Sequence, residues 1–298
     1  MIAGTTLGSH FAGHFGNRTV FEGATVVGIF LVPYVWFLLP NNVTTDKNDA
    51  KLGGETLSTR VMQLAINMKD LFQDKDFLRA SLLIGVVSRI ALAGAIVFGI
   101  PLLLSKQGFS HEQIGQMLIF YSGGVLISSH FASALADKSG DIKLVLTFGS
   151  LLAGAALIII GWSNWIGLMH RALFWESLLL SVVGLTFLGL AHGCTHAPTI
   201  TFISRVEAAT KLGTSVATST YRIVERLGHV SGPLIVGLLF QGTQTSPLSL
   251  CALGLGTLCC AFLFLFRSQN LHSTPPKQTE QNANNYTTSQ PLTDHDHH

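Results

Sequence analysis

Charge is what this sequence lacks most. Of its 298 residues only 11% are Asp, Glu, Lys or Arg, against about 25% in ordinary soluble domains. Such a chain is neither disordered nor a coiled coil, and it is no typical cytosolic enzyme. The acidic and basic residues nearly cancel, 18 Lys and Arg against 16 Asp and Glu, so there is no basic field to hold nucleic acid. Cysteine is sparse too. Cys194, Cys251, Cys259 and Cys260 all fall in apolar runs without paired metal-ligand spacing, and read as small apolar fillers. No basic stretch or cleavage pattern follows Met1, so no secretory signal is expected and insertion falls to the apolar segments themselves.

What is present is long greasy runs, carrying most of the 30 glycines and 19 phenylalanines. Crossing about 30 Å of hydrocarbon takes about 20 apolar residues in a helix, because lipid offers no partner to unpaired backbone. Stretches of that length lie at roughly 19 to 40, 77 to 104, 112 to 136, 143 to 162, 173 to 203, 211 to 240 and 247 to 267. These predict an all-α membrane protein with seven full transmembrane helices. Residues 1 to 15 are too short to span and read as the tail of a helix whose beginning is missing, so the chain is expected to be truncated at its amino end.

Residues 41 to 76 are polar and turn-rich, with Asn41, Asn42, Asp46, Lys47, Gly53 and Gly54, and form a linker. Within it Leu57, Val61, Leu64, Met68 and Leu71 recur every three or four positions, the pattern of an amphipathic helix lying on the membrane surface. Residues 268 to 298, with Pro275, Pro276 and a Gln/Asn/Thr-rich stretch, have too little to bury and read as a disordered tail. Lys and Arg collect in the linker, near 140 and 207, and in the tail, twelve in all, against Arg18, Lys106 and Arg171 in the alternate connections. Positive charge marks the cytoplasmic side, so the linker and the carboxyl terminus are expected there.

The run Ser133-Ala-Leu135-Ala-Asp137-Lys138-Ser-Gly140-Asp141-Ile-Lys143 resembles the Gly-x-Leu-Ala-Asp-Arg-x-Gly-Arg-Arg signature of the major facilitator superfamily. It matches at Leu135, Asp137, Lys138 and Gly140, and departs where Ser133 replaces the first glycine and Asp141 an arginine. Gly228-His-Val-Ser-Gly232-Pro233-Leu-Ile-Val-Gly237 and Gly4-Thr-Thr-Leu-Gly8-Ser-His-Phe-Ala-Gly13 share glycine spacings and resemble the glycine motif of the drug and proton antiporter branch, with Ser9 where the proline stands. Glycines four apart let helices approach closely, and a proline bends them. Gly99-Ile-Pro101 through Gly115 is similar to that family's seventh-to-eighth helix hairpin. The resemblance covers nearly residues 1 to 267. It implies two six-helix bundles and alternating access, with this chain running from the end of the fifth helix through the twelfth: 1–40 the last part of the first bundle, 41–76 the linker, 77–267 the second bundle and 268–298 the tail. It also implies a secondary transporter of a small solute or drug, proton-coupled, in the bacterial inner membrane.

A charge at membrane depth costs about 3 kcal/mol or more unless paired or wetted. Arg89 lies about ten residues into its stretch, and Arg222, Glu225 and Arg226 lie at similar depth, their spacings of three and four making them neighbours on one face. Two readings stand for these residues: contact with an anionic or polar substrate or a proton, or a structural ion network. Glu225 as proton carrier is disfavoured, because adjacent arginines hold it ionised. His10 and His14, and His192 and His196, are pairs four apart. Neither has an acidic partner or a third ligand nearby, so no metal is expected. His192 and His196, on a helix expected to be interrupted at Pro198, either line the cavity for proton exchange or make interhelical hydrogen bonds. The terminal His295, His297 and His298 are assigned no role. No nucleophile elbow, phosphate loop or paired carboxylate is present, so neither enzyme chemistry nor a cofactor is expected. The expected partners are the lipid bilayer, a small-molecule substrate and protons. The non-catalytic alternative is a membrane scaffold or partner subunit derived from such a transporter.

Overall fold

The computed structural model of the chain describes residues 8, 15–38, 57–139, 141–170, 173–242 and 247–268, and among them every regular element is helical. In chain order these are α1 (Asn17–Leu38), α2 (Leu57–Gln73), α3 (Lys75–Lys106), α4 (His111–Ser139), α5 (Ile142–Met169), α6 (Phe174–Arg205), the short α7 (Glu207–Leu212), α8 (Thr214–Gly242) and α9 (Leu248–Arg267). Six of them, α1, α3, α5, α6, α8 and α9, are long and apolar enough to cross a membrane. The 29-residue α4 is long enough but more polar, because Gln113, Gln116, Ser122, Ser128, Ser129 and His130 interrupt its apolar run.

Packing follows the glycines. α6 lies between α4 and α5, α5 carries α9 on its other side, and α3 pairs with α8. Each contact has a crossing point where side chains are nearly absent. A Cβ on Gly94 of α3 would sit 2.7 Å from the Gly232 carbonyl oxygen of α8. One on Gly254 of α9 would sit 2.7 Å from the Gly154 oxygen of α5, and one on Gly124 of α4 would sit 2.5 Å from the Thr186 oxygen of α6. Lipid tails are as apolar as leucine, so close backbone approach and dispersion, rather than expulsion of water, hold such helices together. Gly228 and Gly232, singled out by their spacing, both abut α3, against the Val86 carbonyl and the Ile90–Gly94 backbone.

Pro198 does not interrupt α6, contrary to expectation; the helix runs from Phe174 to Arg205 through it. Threonines near the proline bond back to the helix, Thr199 Oγ1 donating to the Thr195 carbonyl at 2.5 Å and Thr201 Oγ1 to that of Ala197 at 3.4 Å. α8 likewise continues through Pro233.

At one end the bundle is knotted. Asp74 caps α3, its Oδ1 accepting from the amides of Asp76 and Phe77, while its Oδ2 accepts from the Ala208 amide in α7. Lys143 Nζ, from the first turn of α5, donates to the Ser268 carbonyl at 2.6 Å, and Arg79 of α3 donates to the Arg267 carbonyl. Ser268 Oγ returns a bond to Asp76 at 3.1 Å. Two cations thus occupy the carbonyl end of α9, where the helix dipole favours them. Beneath the knot Leu71, Phe77, Ile142, Phe202, Val206 and Phe264 form a buried apolar plug, with the Phe202 and Phe264 rings edge to face at 5.7 Å. Leu71, the last residue of the amphipathic stripe, belongs to that plug, so α2 is docked by its carboxyl-terminal turn.

The turns have local causes. Ser110 and Gln113 bond reciprocally at the start of α4, a capping box that follows Gly108 at φ +91°. Asp141, which departs from the family signature, caps α5 by accepting from the Leu144 amide at 3.3 Å. Gly140 and the side chains of Asp137 and Lys138 lie outside the described residues, as do His10, His14 and the carboxyl-terminal histidines.

Candidate functional site

Four helices place polar side chains at mid-span. Arg89 lies near the middle of α3, on a single α-turn, Val87–Ile90, between two π-helical stretches, Ala80–Val86 and Ala91–Gly99. In a uniform α-helix Arg89 and Gly94 would point about 140° apart. The wider winding turns both toward α8, Arg89 to Glu225 and Gly94 to Gly232. π turns within α-helices concentrate at functional sites, and these two flank the central cation.

Glu225 is the hub. Its side chain is 2% exposed, and both carboxylate oxygens are occupied: Oε2 by Arg89 at 3.1 Å and Oε1 by Arg222 at 3.1 Å. Arg89 is 14% exposed and Arg222 48%. The second arginine therefore reaches from the buried carboxylate to the outside of the bundle. Arg89 has a further partner in His196 of α6, whose Nδ1 lies 2.6 Å from the guanidinium. One turn earlier on α6, His192 is buried with its Nδ1 2.8 Å from the Tyr121 hydroxyl of α4 and the two rings edge to face.

The structure thus brings together Arg89, His192, His196, Arg222 and Glu225, and adds Tyr121, which no sequence signal marked in the apolar run of α4. Arg226 does not join them. It is exposed and makes no hydrogen bond or ion pair with a described residue, because one residue beyond Glu225 it is turned about 100° around the helix. Among the described residues no group of three or more His, Cys, Asp or Glu could hold a metal.

Counted as formal charges, Arg89, Arg222 and Glu225 leave one positive charge over, with neutral histidines. Removing either member of a buried pair leaves an uncompensated charge, at about 3–5 kcal/mol. The surplus cation suits a monoanion, which would receive charge-assisted hydrogen bonds from the half-exposed Arg222 and from the Arg89 edge that now faces His196.

The family model of the Major Facilitator Superfamily matches two overlapping stretches of this chain, residues 1–214 and 82–294. A relative from Escherichia coli (strain K12), the 3-(3-hydroxy-phenyl)propionate transporter, is 27% identical over 254 residues, which is 82% of this chain and 56% of that protein. The chain therefore spans about half the length of the curated relative it matches. No solved structure matches.

Proposed function

The chain belongs to the major facilitator superfamily, and from that premise we propose that it works in the proton-coupled secondary transport of a small organic anion of the aromatic carboxylate class. Members of that family are transporters and not enzymes. The observation that carries the substrate class is the mid-span cluster, in which the described residues Arg89 and Arg222 set two positive charges against the one negative charge of Glu225. A site built to take a cationic drug would carry the opposite surplus, so the antiporter resemblance of the glycine motif is read as helix packing rather than as substrate choice. The name of the Escherichia coli relative, which carries an aromatic carboxylate, supports the same class.

In this reading 77–267 is one six-helix bundle, 1–40 belongs to the other, and the knotted end with the linker and the tail faces the cytoplasm of a bacterial inner membrane. Alternating access moves the two bundles against each other around the cluster. The family resemblance assigns Asp137, Lys138 and Gly140 a conformational role, as it does Gly228, Gly232 and Pro233, of which Gly228 and Gly232 lie at the contact of α8 with α3.

The test is uptake of labelled 3-(3-hydroxyphenyl)propionate into proteoliposomes under an inward proton gradient. Uptake abolished by a protonophore and by Arg89→Ala supports the proposal. Uptake unchanged in Arg89→Ala overturns it, and specific binding without uptake is the outcome that fits a partner subunit instead.

A further inference from the structure

We infer that the stretch Ala91–Gly99 of α3 is a rewinding segment: it keeps its π winding while Arg89 is held on Glu225, and passes to α winding when a bound anion releases Arg89 from that carboxylate. Occupancy at mid-span is thereby carried to the far end of the helix. This rests on the anion-transport reading above and names the element that the substrate moves.

α3 meets α8 at positions that no single face of an α-helix contains. A Cβ on Gly85 would sit 2.6 Å from Tyr221 Cε2, one on Gly94 2.7 Å from the Gly232 oxygen, and one on Gly99 3.0 Å from Val236 Cγ1, while Arg89 pairs with Glu225. At about 100° per residue, positions 85, 89, 94 and 99 of a uniform α-helix would point to about 0°, 40°, 180° and 320°. A π turn closes its hydrogen bonds five residues on instead of four, as the Ile100 amide does on the Ala95 carbonyl, and so brings steps of five back toward one face. α8 answers with ordinary α-helical steps, Tyr221, Glu225, Gly232 and Val236. Arg89 on Glu225 and Gly94 on Gly232 therefore coexist only while α3 is π-wound.

Charge counting supplies the trigger. Without an anion one carboxylate serves two guanidiniums, and Arg89 cannot leave Glu225 without standing unpaired inside an apolar bundle. With an anion bound there are two negative charges for two positive ones. Glu225 stays neutralised by Arg222, and Arg89 turns from α8 to the anion while Gly94 keeps its place on Gly232. The anion thus binds the α-wound form more tightly than the π-wound form, which is the differential affinity that any ligand-driven shift requires.

Of the two π stretches, this is the one placed to turn. Ala80–Val86 is pinned: Ala80 and Ile84 lie in the apolar plug beside Phe77, Asp74 caps the helix ahead of them, and Arg79 donates to the end of α9. Ala91–Gly99 has no polar side chain to fasten it, and five of its six buried residues, Ala91, Ala93, Gly94, Ala95 and Gly99, are alanine or glycine. Turning drags little bulk past α8. Just beyond the helix Gln107 donates to Asn164 of α5 at 3.1 Å, and this is the bond that rewinding pulls on.

The experiment is double electron–electron resonance on the full chain in detergent, with the four cysteines replaced by alanine and spin labels on Val97→Cys of α3 and Leu255→Cys of α9, both exposed positions. A second pair, Leu238→Cys of α8 with Leu255→Cys, reports any motion of α8 itself. Saturation with 3-(3-hydroxyphenyl)propionate, checked by calorimetry on the same labelled protein, is expected to move the first distance by about 5 Å or more and to leave the second in place. That is the scale of a side chain changing faces on a helix about 10–12 Å across. Glu225→Gln, which removes the charge that holds Arg89, is expected to show the displaced distance without the probe. If that variant fails to fold, the wild-type pairs decide alone. Binding with the first distance unmoved, a shift of both pairs together, or a folded Glu225→Gln with the unliganded wild-type distance overturns the inference and leaves the transport reading standing. No binding of the probe overturns both.

Discussion

The knotted end and the mid-span cluster use the same side chains to opposite effect. At the knot, Lys143 and Arg79 each donate to a backbone carbonyl at the close of α9, Arg79 also pairing with Asp76 at 3.5 Å, and Asp74 accepts from backbone amides at two helix starts. The backbone partners have no second state, so they fasten helices. At the cluster, Arg89 is divided between Glu225 and the His196 ring. One of its partners can change protonation, and the other is shared with a half-exposed arginine. The contrast teaches that charge within an apolar bundle is structural when its partners are fixed backbone dipoles, and a candidate for chemistry when its partners can be exchanged.

The sharpest way to break the comparison is at the hub. Glu225→Ala leaves two arginines facing each other at mid-span and is expected to cost about 3–5 kcal/mol, read as a lower unfolding midpoint in detergent. The double variant Arg89→Met with Glu225→Met is expected to recover much of that loss while abolishing anion binding, which separates stability from function. At the knot, Lys143→Met strands the Ser268 carbonyl and is expected to cost about 1–3 kcal/mol, with anion affinity unchanged. Asp74→Ala removes a helix cap and the acceptor for Ala208, and is expected to cost about 1–2 kcal/mol, again with unchanged affinity. A large affinity loss in either knot variant would erase the distinction drawn between the two regions.

The smallest effect is expected outside both. Lys211 and Glu207 pair at 2.6 Å on the exposed face of α7, and the Glu207 carboxylate raises the lysine pKa. A raised pKa contributes stability below the unfolded value and loses it as pH rises through the folded one. Because this pair is solvated and screened, Lys211→Met is expected to leave the melting midpoint unmoved at neutral and at alkaline pH.

Much of the fold was legible because lipid imposes a simple rule, about 20 apolar residues per crossing. The apolar stretches from 77 to 104 and from 247 to 267 became Lys75–Lys106 and Leu248–Arg267. Arg89 and the Arg222, Glu225 pair were visible as charges where charge is expensive. Their partnership was not, because the register of α3 against α8 is set by Gly94 and Gly232 meeting and by π winding, which no periodicity in the sequence reveals. Spacings of three and four from Arg222 put Glu225 and Arg226 on one face, yet the single helical step between those two separates a buried residue from an exposed one. Tyr121 carried no signal, since a tyrosine in an apolar run looks like any other ring until a histidine is found against its hydroxyl. The unbroken α6 was not legible either, since a proline frees one carbonyl and does not by itself end a helix packed between two others.

The central claim is that an organic anion is held at mid-span by Arg89. Equilibrium binding of labelled 3-(3-hydroxyphenyl)propionate to the detergent-purified chain tests it most directly, comparing wild type with Arg89→Gln. The account predicts saturable binding that weakens by about 10- to 100-fold in the variant, the worth of one charge-assisted hydrogen bond. Equal affinity in the two proteins would contradict it.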